Sequence, residues 1–507
     1  MERRNLTVAA VAALAVLSCL VLTYCSHGGP ADSDGSFVII HTNDTHCRYG
    51  WDGGLGFSTV AALRESYSSE TPTFVVDAGD FLQGNSYGAV LDGRGSVDIM
   101  KNVGYDVGVP GNHEFDYGIG TFLERIEALG YPVICANLVY GDTGESVLDE
   151  YVVIEKGGVK VGFFGLLTPE TVATVRHGNM GAAVITDPTD AARRMVSALE
   201  GKGVDSIVAI GHLGVEKVGY VTSDEVCAAV HGIDIFIDAH SHTEMEGGKA
   251  CDRSVELIPS GTVIASTGCY LDNVGIVRSG PDGISAGLYR GPPLRNGPVD
   301  AATDAVKSEV DDVLKVKVGY TETLLDGDRH SLRNGETNLG DLAADSILEL
   351  SGAQVALVNS GGIRASIQPG DITLNEVYDV LPYMDPICVF EAPGSAIHEC
   401  MEYSLGLLGD DNGEFIQFAG MTVTYDPGAE KGHRIQSITV DGSELEADSL
   451  YKVAALDFIA MGGGNYPMIS GYEAQIIGTQ DAIFVDYLDR IGPITAEDIK
   501  MGRLVAV

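Results

Sequence analysis

The stretch FVIIHTND, residues 37–44, is a run of β-branched and aromatic residues that closes on a carboxylate. A buried strand reads this way when its carboxyl end hands a polar side chain to a loop. Four further stretches have the same form: TFVVDAGD (73–80), YDVGVPGNH (105–113), SIVAIGH (206–212) and DIFIDAH (234–240). Amphipathic helical stretches such as FSTVAALRESY (57–67) and DAARRMVSALEG (190–201) lie between them. Strands alternating with helices predict a helix-covered α/β sheet. YVVIEKGGVKVGFFGLL (151–167) predicts a hairpin turned at Gly157 and Gly158, and TVIASTG and NVGIVRS add later strands.

Each of the five strands ends in side chains able to bind a metal: Asp44 and His46, Asp80, Asn112 with His113, His212, then His240 and His242. Ligands of open α/β sheets gather outside the carboxyl ends of the strands, so one edge would collect the whole set. A lone Asp after a strand is ordinarily a turn former or helix cap. Five of the twelve histidines at such ends, beside Asp and Asn, form a joint pattern instead. Oxygen and imidazole donors without thiolates suit Mn²⁺, Zn²⁺, Co²⁺ or Mg²⁺. The donors exceed the needs of one ion; two ions about 3.5 to 4 Å apart, bridged by a carboxylate, fit better. Such a pair serves in-line displacement at phosphorus, and hydrolysis of a phosphate ester is the expected reaction.

The chain has 507 residues, enough for two domains with a core each. Apolar content of 45% with 20% charged residues marks it as globular. Asp plus Glu number 72 against 31 Lys plus Arg, a net of -41, which repels a nucleic-acid duplex. An anionic substrate needs a local reversal of sign, which metal ions supply. The amino terminus carries two arginines and then about twenty mostly apolar residues, a secretory signal or an uncleaved membrane anchor. Residues 1–35 are therefore read as signal or anchor plus tether, and the body as extracytoplasmic, secreted or held at a membrane. Seven of nine cysteines lie beyond this segment without a CxxC pair; Cys251 with Cys269 or Cys388 with Cys400 are candidate disulfides.

Residues 36–290 read as the first domain. GPPLRNGP (291–298) marks a boundary, and VDAATDAVKSEVDDVLKVKV a connecting helix, within a linker of residues 291–319. A second α/β unit, 320–507, opens with helix NLGDLAADSILELSG, strand QVALVNSG and helix SAIHECMEYSLGLL, followed by β-rich segments.

IIHTNDTH, DAGDFLQGN, GNHEFDYG, IGHLG and AHSHT resemble the metallophosphatase domain of the 5'-nucleotidase family, which includes UDP-sugar hydrolases and cyclic-nucleotide phosphodiesterases. LRNGETNLGDLAADS, NSGGIRASIQPGDITLNEVYDVLPY and LDFIAMGGGNYP resemble its C-terminal substrate domain. The resemblance implies a four-layer αββα sandwich followed by a helix-linked α/β substrate-binding domain. By it, Asp44, His46, Asp80 and His242 hold one metal, and Asp80 bridges to a second on Asn112, His212 and His240. His113 stabilises transition-state charge and Asp116 orients it, while Glu114 needs no role beyond that of an acid at a helix N-terminus. Arg333 and Arg364 take the phosphate or carboxylate-like groups, Asn359 the base, and Tyr383 and Phe458 clamp the base. The implied reaction removes phosphate from nucleoside 5'-monophosphates. The alternatives are 2',3'-cyclic-nucleotide phosphodiesterase or UDP-sugar hydrolase on the same scaffold, or a non-catalytic nucleotide-binding surface protein. Two departures stand out. Gly464 replaces the family's ribose-binding Asp, with Asn465 beside it as a substitute contact, and Cys47 stands where Gly is common, as a candidate metal competitor.

Overall fold

The computed structural model describes residues 35–507 except 52, 176–177, 216–218, 253–254 and 500. The amino-terminal apolar segment lies outside the described residues. Among those described, no helix is long and apolar enough to cross a membrane.

FVII, residues 37–40, is apolar throughout because both faces of its strand are covered, and its side chains alternate between two cores. Phe37 and Ile39 face a layer shared with Phe74, Phe163 and Val208, while Val38 and Ile40 face helices. Phe37–Thr42 is the centre of a five-stranded sheet, parallel to Thr73–Asp77, which is in turn parallel to Val107–Gly108. The antiparallel strands Val274–Gly280 and Gly283–Tyr289 complete its other side. A second five-stranded sheet runs Val263–Ala265, Ile235–Ile237, Ser206–His212, Val159–Leu167 and Tyr151–Lys156. Gly56–Ser68, Arg94–Met100 and Gly118–Glu127 cover the first sheet, and Pro188–Glu200 and Ser223–Ala229 the second, which makes four layers. The expected hairpin is present: Lys156 pairs with Val159 around Gly157 and Gly158, both at positive φ as a two-residue turn requires.

Helix Gly297–Leu314 begins inside the stretch read as a breaker, with Asn296 capping Val299 N–H and Pro298 in its first turn. It docks on the first domain. Val299 and Val306 enter that core, Ser58 donates to Asp300 at 2.6 Å, and the Lys307 ammonium lies 5.4 Å from the Trp51 ring centre. The linker helix therefore packs on the first domain through its apolar face.

In the second unit, strands Ile416–Ala419, Val355–Asn359, Leu450–Leu456, Pro386–Pro393 and Gln475–Thr479 form a sheet against helices Asn338–Ser351, Gly394–Gly406 and Gln480–Ile491. The last helix lies in a tail read as β-rich. Its Ile, Phe, Val and Tyr favour strand locally, but Ile483, Phe484, Tyr487 and Leu488 make one buried helical face. The disulfide expectation is corrected: all seven described cysteines are free thiols. Cys388 on its strand and Cys400 on its helix are spent on the apolar core, and Cys251 faces the Arg290 guanidinium.

Candidate metal centre

Strand register brings the donors to one edge. Thr42 pairs with Asp77 and Asp77 with Gly108, while Leu167 pairs with His212, so the loops carrying Asp44, Asp80, Asn112, His212 and His240 leave the two sheets side by side. Left-handed backbone aims several of them: Asp44 (φ 48°), His46 (47°), Asp80 (61°), His240 (77°) and His242 (55°). Such a residue costs on the order of 1 kcal/mol, so this concentration is strain held in place by the surrounding packing. Gly111 is required by contact. A Cβ there would sit 2.2 Å from Asp80 Oδ1 and 2.6 Å from His212 Cε1.

Three donor groups have atoms within 4.8 Å of one another: Asp44 with His46 and His242, Asp80 with His212 and His240, and His46 with Asp80 and His113; the first two form separate sets. Hydrogen bonds behind the rings settle what the front nitrogens present. His46 Nδ1 is 3.0 Å from the Gln83 carbonyl and His212 Nδ1 2.8 Å from the Ala78 carbonyl. A carbonyl only accepts, so Nδ1 carries the hydrogen and each Nε2 offers a lone pair. The His46 lone pair meets His242 Nε2 at 3.1 Å, and that of His212 meets Asp80 Oδ2 at 3.2 Å and Asp44 Oδ1 at 3.9 Å. Asn112 Oδ1 is buried with no hydrogen-bond donor.

Acceptors facing acceptors in a buried site call for positive charge. Protons answer incompletely: burial pulls the His212 pKa down, yet Asp80 and Asp44 outweigh it and carry the ring up to about 10. Burial meanwhile holds His46 at about 3 and pushes Asp44 up to about 7 despite His212. Divalent cations satisfy every lone pair at once, so the residues fit two ions, with Asp80, 3.8 Å from His46 Nε2, placed between the sets. When bound, such ions polarise a phosphoryl oxygen and lower the pKa of water. Outside the ligands, Glu170 Oε2 lies 2.6 Å from His240 Nε2 and orients that ring. The sequence reading missed Glu170, although it stands just past strand Val159–Leu167 where the other polar groups cluster.

His113 projects beside this set, its Nδ1 2.6 Å from Asp116 Oδ2. Burial alone would discharge the imidazole, but Asp116 and Asp80 hold its pKa well above the usual value and keep it cationic.

Three readings need correction. Glu114 is more than an acid at a helix N-terminus: fully buried, its carboxylate accepts the backbone N–H of Asp80 (2.7 Å), Phe81 (2.8 Å), Leu82 (3.0 Å) and Gly111 (2.5 Å). It ties the Asp80 loop to the Asn112 loop and so sets the spacing of their ligands. Glu114→Gln turns an N–H donor toward N–H donors and is expected to cost about 3 kcal/mol or more of metal-free stability, measured by denaturant unfolding. A loss under about 1 kcal/mol would remove Glu114 from this role. Cys47 does not compete for metal. Its thiol is 1% exposed, points at the Phe81 carbonyl and Ser96, and is pushed by burial up to about 12. Asn465 gives its amide to Glu414 Oε1 at 3.1 Å and is absent from the residues lining the cleft, so the group read as a substitute contact is already committed.

One cleft of about 1050 Å³ joins the metal donors to the second domain. His46, Asp80, Asn112, His113, His240 and His242 line one side; Asn359, Arg364, Tyr383 and Phe458 line the other. Asp44 and His212 stand fully buried behind the first wall. Asn359 ends strand Val355–Asn359 and Phe458 follows the parallel strand Leu450–Leu456, so both emerge at the same sheet edge. Arg333 is set back, Nη1 donating to the Asp411 carbonyl at 3.2 Å.

A four-layer sandwich with two Asp/His donor sets at its strand ends and a charged imidazole beside them defines a metal-dependent phosphoester hydrolase. Comparison with known proteins agrees: residues 37–244 match the calcineurin-like phosphoesterase family and residues 317–471 the 5'-nucleotidase C-terminal domain. The chain thus carries a calcineurin-like phosphoesterase domain followed by a 5'-nucleotidase C-terminal domain. It is 29% identical to a trifunctional nucleotide phosphoesterase protein of Bacillus subtilis, over 94% of this chain but only 35% of that protein. It is 27% identical to a 5'-nucleotidase of Vibrio cholerae, over 92% of each chain. The crystal structure of a 5'-nucleotidase precursor from Thermus thermophilus superposes with TM-score 0.68 at 25% identity, covering 93% of this chain and 99% of that one.

Proposed function

We propose that this protein removes phosphate from nucleoside 5'-monophosphates outside the cytoplasm. The observation that carries the reading is the shared cleft, whose metal donors and His113 face an aromatic, amide and guanidinium wall suited to a nucleotide. Asp44, His46, His242 and Asp80 would hold one ion, and Asp80, Asn112, His212 and His240 the other. His113, kept charged and oriented by Asp116, donates to phosphoryl oxygens as negative charge builds on them. Arg364 pairs with substrate anion, Asn359 with the base, and Tyr383 and Phe458 offer π faces; Arg333 supports that wall from behind. Domain limits of 36–290, 291–319 and 320–507 go with this reading. Export is supported by the two arginines and apolar run at the amino terminus. The names of the matched relatives support a nucleotide substrate.

The test is to strip the soluble part of metal, add back Mn²⁺, and compare AMP, dAMP, a 2',3'-cyclic nucleotide and UDP-glucose. AMP is expected to lead the cyclic nucleotide and UDP-glucose by at least about tenfold in kcat/KM, or ~1.4 kcal/mol in the transition state. AMP and dAMP are expected to agree within about threefold, since Gly464 has no side chain and Asn465 is committed to Glu414. No phosphate release from any nucleotide refutes the reading; a lead for the cyclic nucleotide or UDP-glucose moves it to the sister activities.

A further inference from the structure

We infer that Gln83 is a positioning residue that holds the substrate-clamp loop of the second domain over the metal centre. The inference rests on the nucleotide reading of that clamp. Gln83 belongs to the DAGDFLQGN stretch but is given no ligand role there. Its side chain is 2% exposed, unusual for an uncharged amide on a loop, and lies where the two domains meet. Its Nε2 donates to the Pro382 carbonyl at 3.0 Å, crossing from the first domain to the second. Tyr383 follows Pro382 and lines the cleft, and Met384 after it is held at φ 50°. The loop that carries the aromatic face thus includes a left-handed residue and accepts a hydrogen bond from the first domain just before it.

The same residue faces the metal donors through its main chain, since its carbonyl is the group that orients His46 Nδ1. The turn around it has little freedom: Asp80 is left-handed, and a Cβ on Gly84 would lie 2.3 Å from His46 Cβ. One residue therefore fixes a ligand ring with its backbone and the clamp loop with its side chain. This turn thereby links the reacting centre to the aromatic wall. Ser86, 3.4 Å from Asn375 Oδ1, adds a longer contact along the same seam.

Gln83→Met keeps length and burial but removes the donor; Gln83→Glu keeps shape and turns an acceptor toward the Pro382 carbonyl. With metal restored, the ratio of kcat/KM for AMP to that for phenyl phosphate, which has no nucleoside to clamp, should fall about tenfold in the Met variant and further in the Glu variant, as expected for one buried hydrogen bond. A pair of spin labels, one per domain, should show the docked-to-separated population ratio falling by the same factor. Equal losses on both substrates with unchanged label distances, or no change in either readout, overturn the proposal. If wild type hydrolyses no nucleotide, the functional reading fails on its own, and the label distances still decide the role of Gln83.

Discussion

Asp80→Asn is expected to lower kcat/KM for nucleotide by more than about 10⁴-fold while leaving the metal-free fold intact, because loss of metal forfeits several kcal/mol of transition-state stabilisation. The two oxygens of Asp80 have different work. Oδ1 accepts the His113 backbone N–H at 2.9 Å, and an asparagine oxygen can go on doing so. Oδ2 lies 3.2 Å from His212 Nε2, with His46 Nε2 at 3.8 Å. In the variant an amide N–H₂ occupies that place and donates to His212. The hydrogen bond then satisfies the ring that otherwise demands a cation, and a buried charge disappears with it. Replacing a buried ion pair by a neutral, well-matched one is close to thermodynamically neutral, so metal-free stability should stay within about 1 kcal/mol of wild type. What vanishes is the stabilisation by added Mn²⁺, about 2.7 kcal/mol at a hundredfold excess over Kd for a single site. Elemental analysis, denaturant unfolding with and without Mn²⁺, and steady-state kinetics check the three parts. A variant that binds two equivalents of metal and turns over within tenfold of wild type would place the bridge elsewhere.

How much of this centre was legible in the sequence follows from what each residue depends on. Asp44, His46, Asp80, Asn112, His212, His240 and His242 were readable because they trail strands whose apolar pattern is strong, and parallel register leaves little choice about where the strand ends go. A sheet covered by helices followed from the same pattern, since FVII with no polar face needs cover on both sides, whereas the four-layer arrangement came from the family resemblance. Glu114 was not readable. Its four partners are backbone N–H groups on two loops, one of them more than thirty residues away, and no side-chain motif announces a backbone donor. Glu170 and Gln83 share that limitation, because their partners are set by how loops and domains meet. The free cysteines show the converse: even spacing in sequence carried no information on pairing once Cys388 and Cys400 were committed to a core. Left-handed backbone at Asp44, His46, Asp80, His240 and His242 falls on residue types that adopt it more readily than most, but residue type alone did not mark which Asp and His would do so.

His113→Ala is expected to reduce kcat by about 10³-fold, near 4 kcal/mol, with KM and metal content little changed. His113 is within donor reach of His46 and Asp80, so geometry alone also allows it to be a ligand. Its hydrogen-bonding argues against that. Nδ1 is committed to Asp116 at 2.6 Å, and Asp116 with Asp80 keeps the ring protonated, which leaves a cationic N–H to face the cleft. A cation that gains most when charge builds on phosphoryl oxygens acts on kcat, whereas a metal ligand acts on metal content first. Asp116 works only through His113, so Asp116→Asn alone should cost about 10- to 100-fold, the range typical of a group that orients another. The double variant should then be no slower than His113→Ala by more than about threefold, since Asp116 has nothing left to orient. Losses that multiply in the double variant would give Asp116 an independent task, and metal lost from His113→Ala would make the imidazole a ligand. Either result separates charge stabilisation from coordination at the position where the sequence, GNHEFD, sets the two side by side.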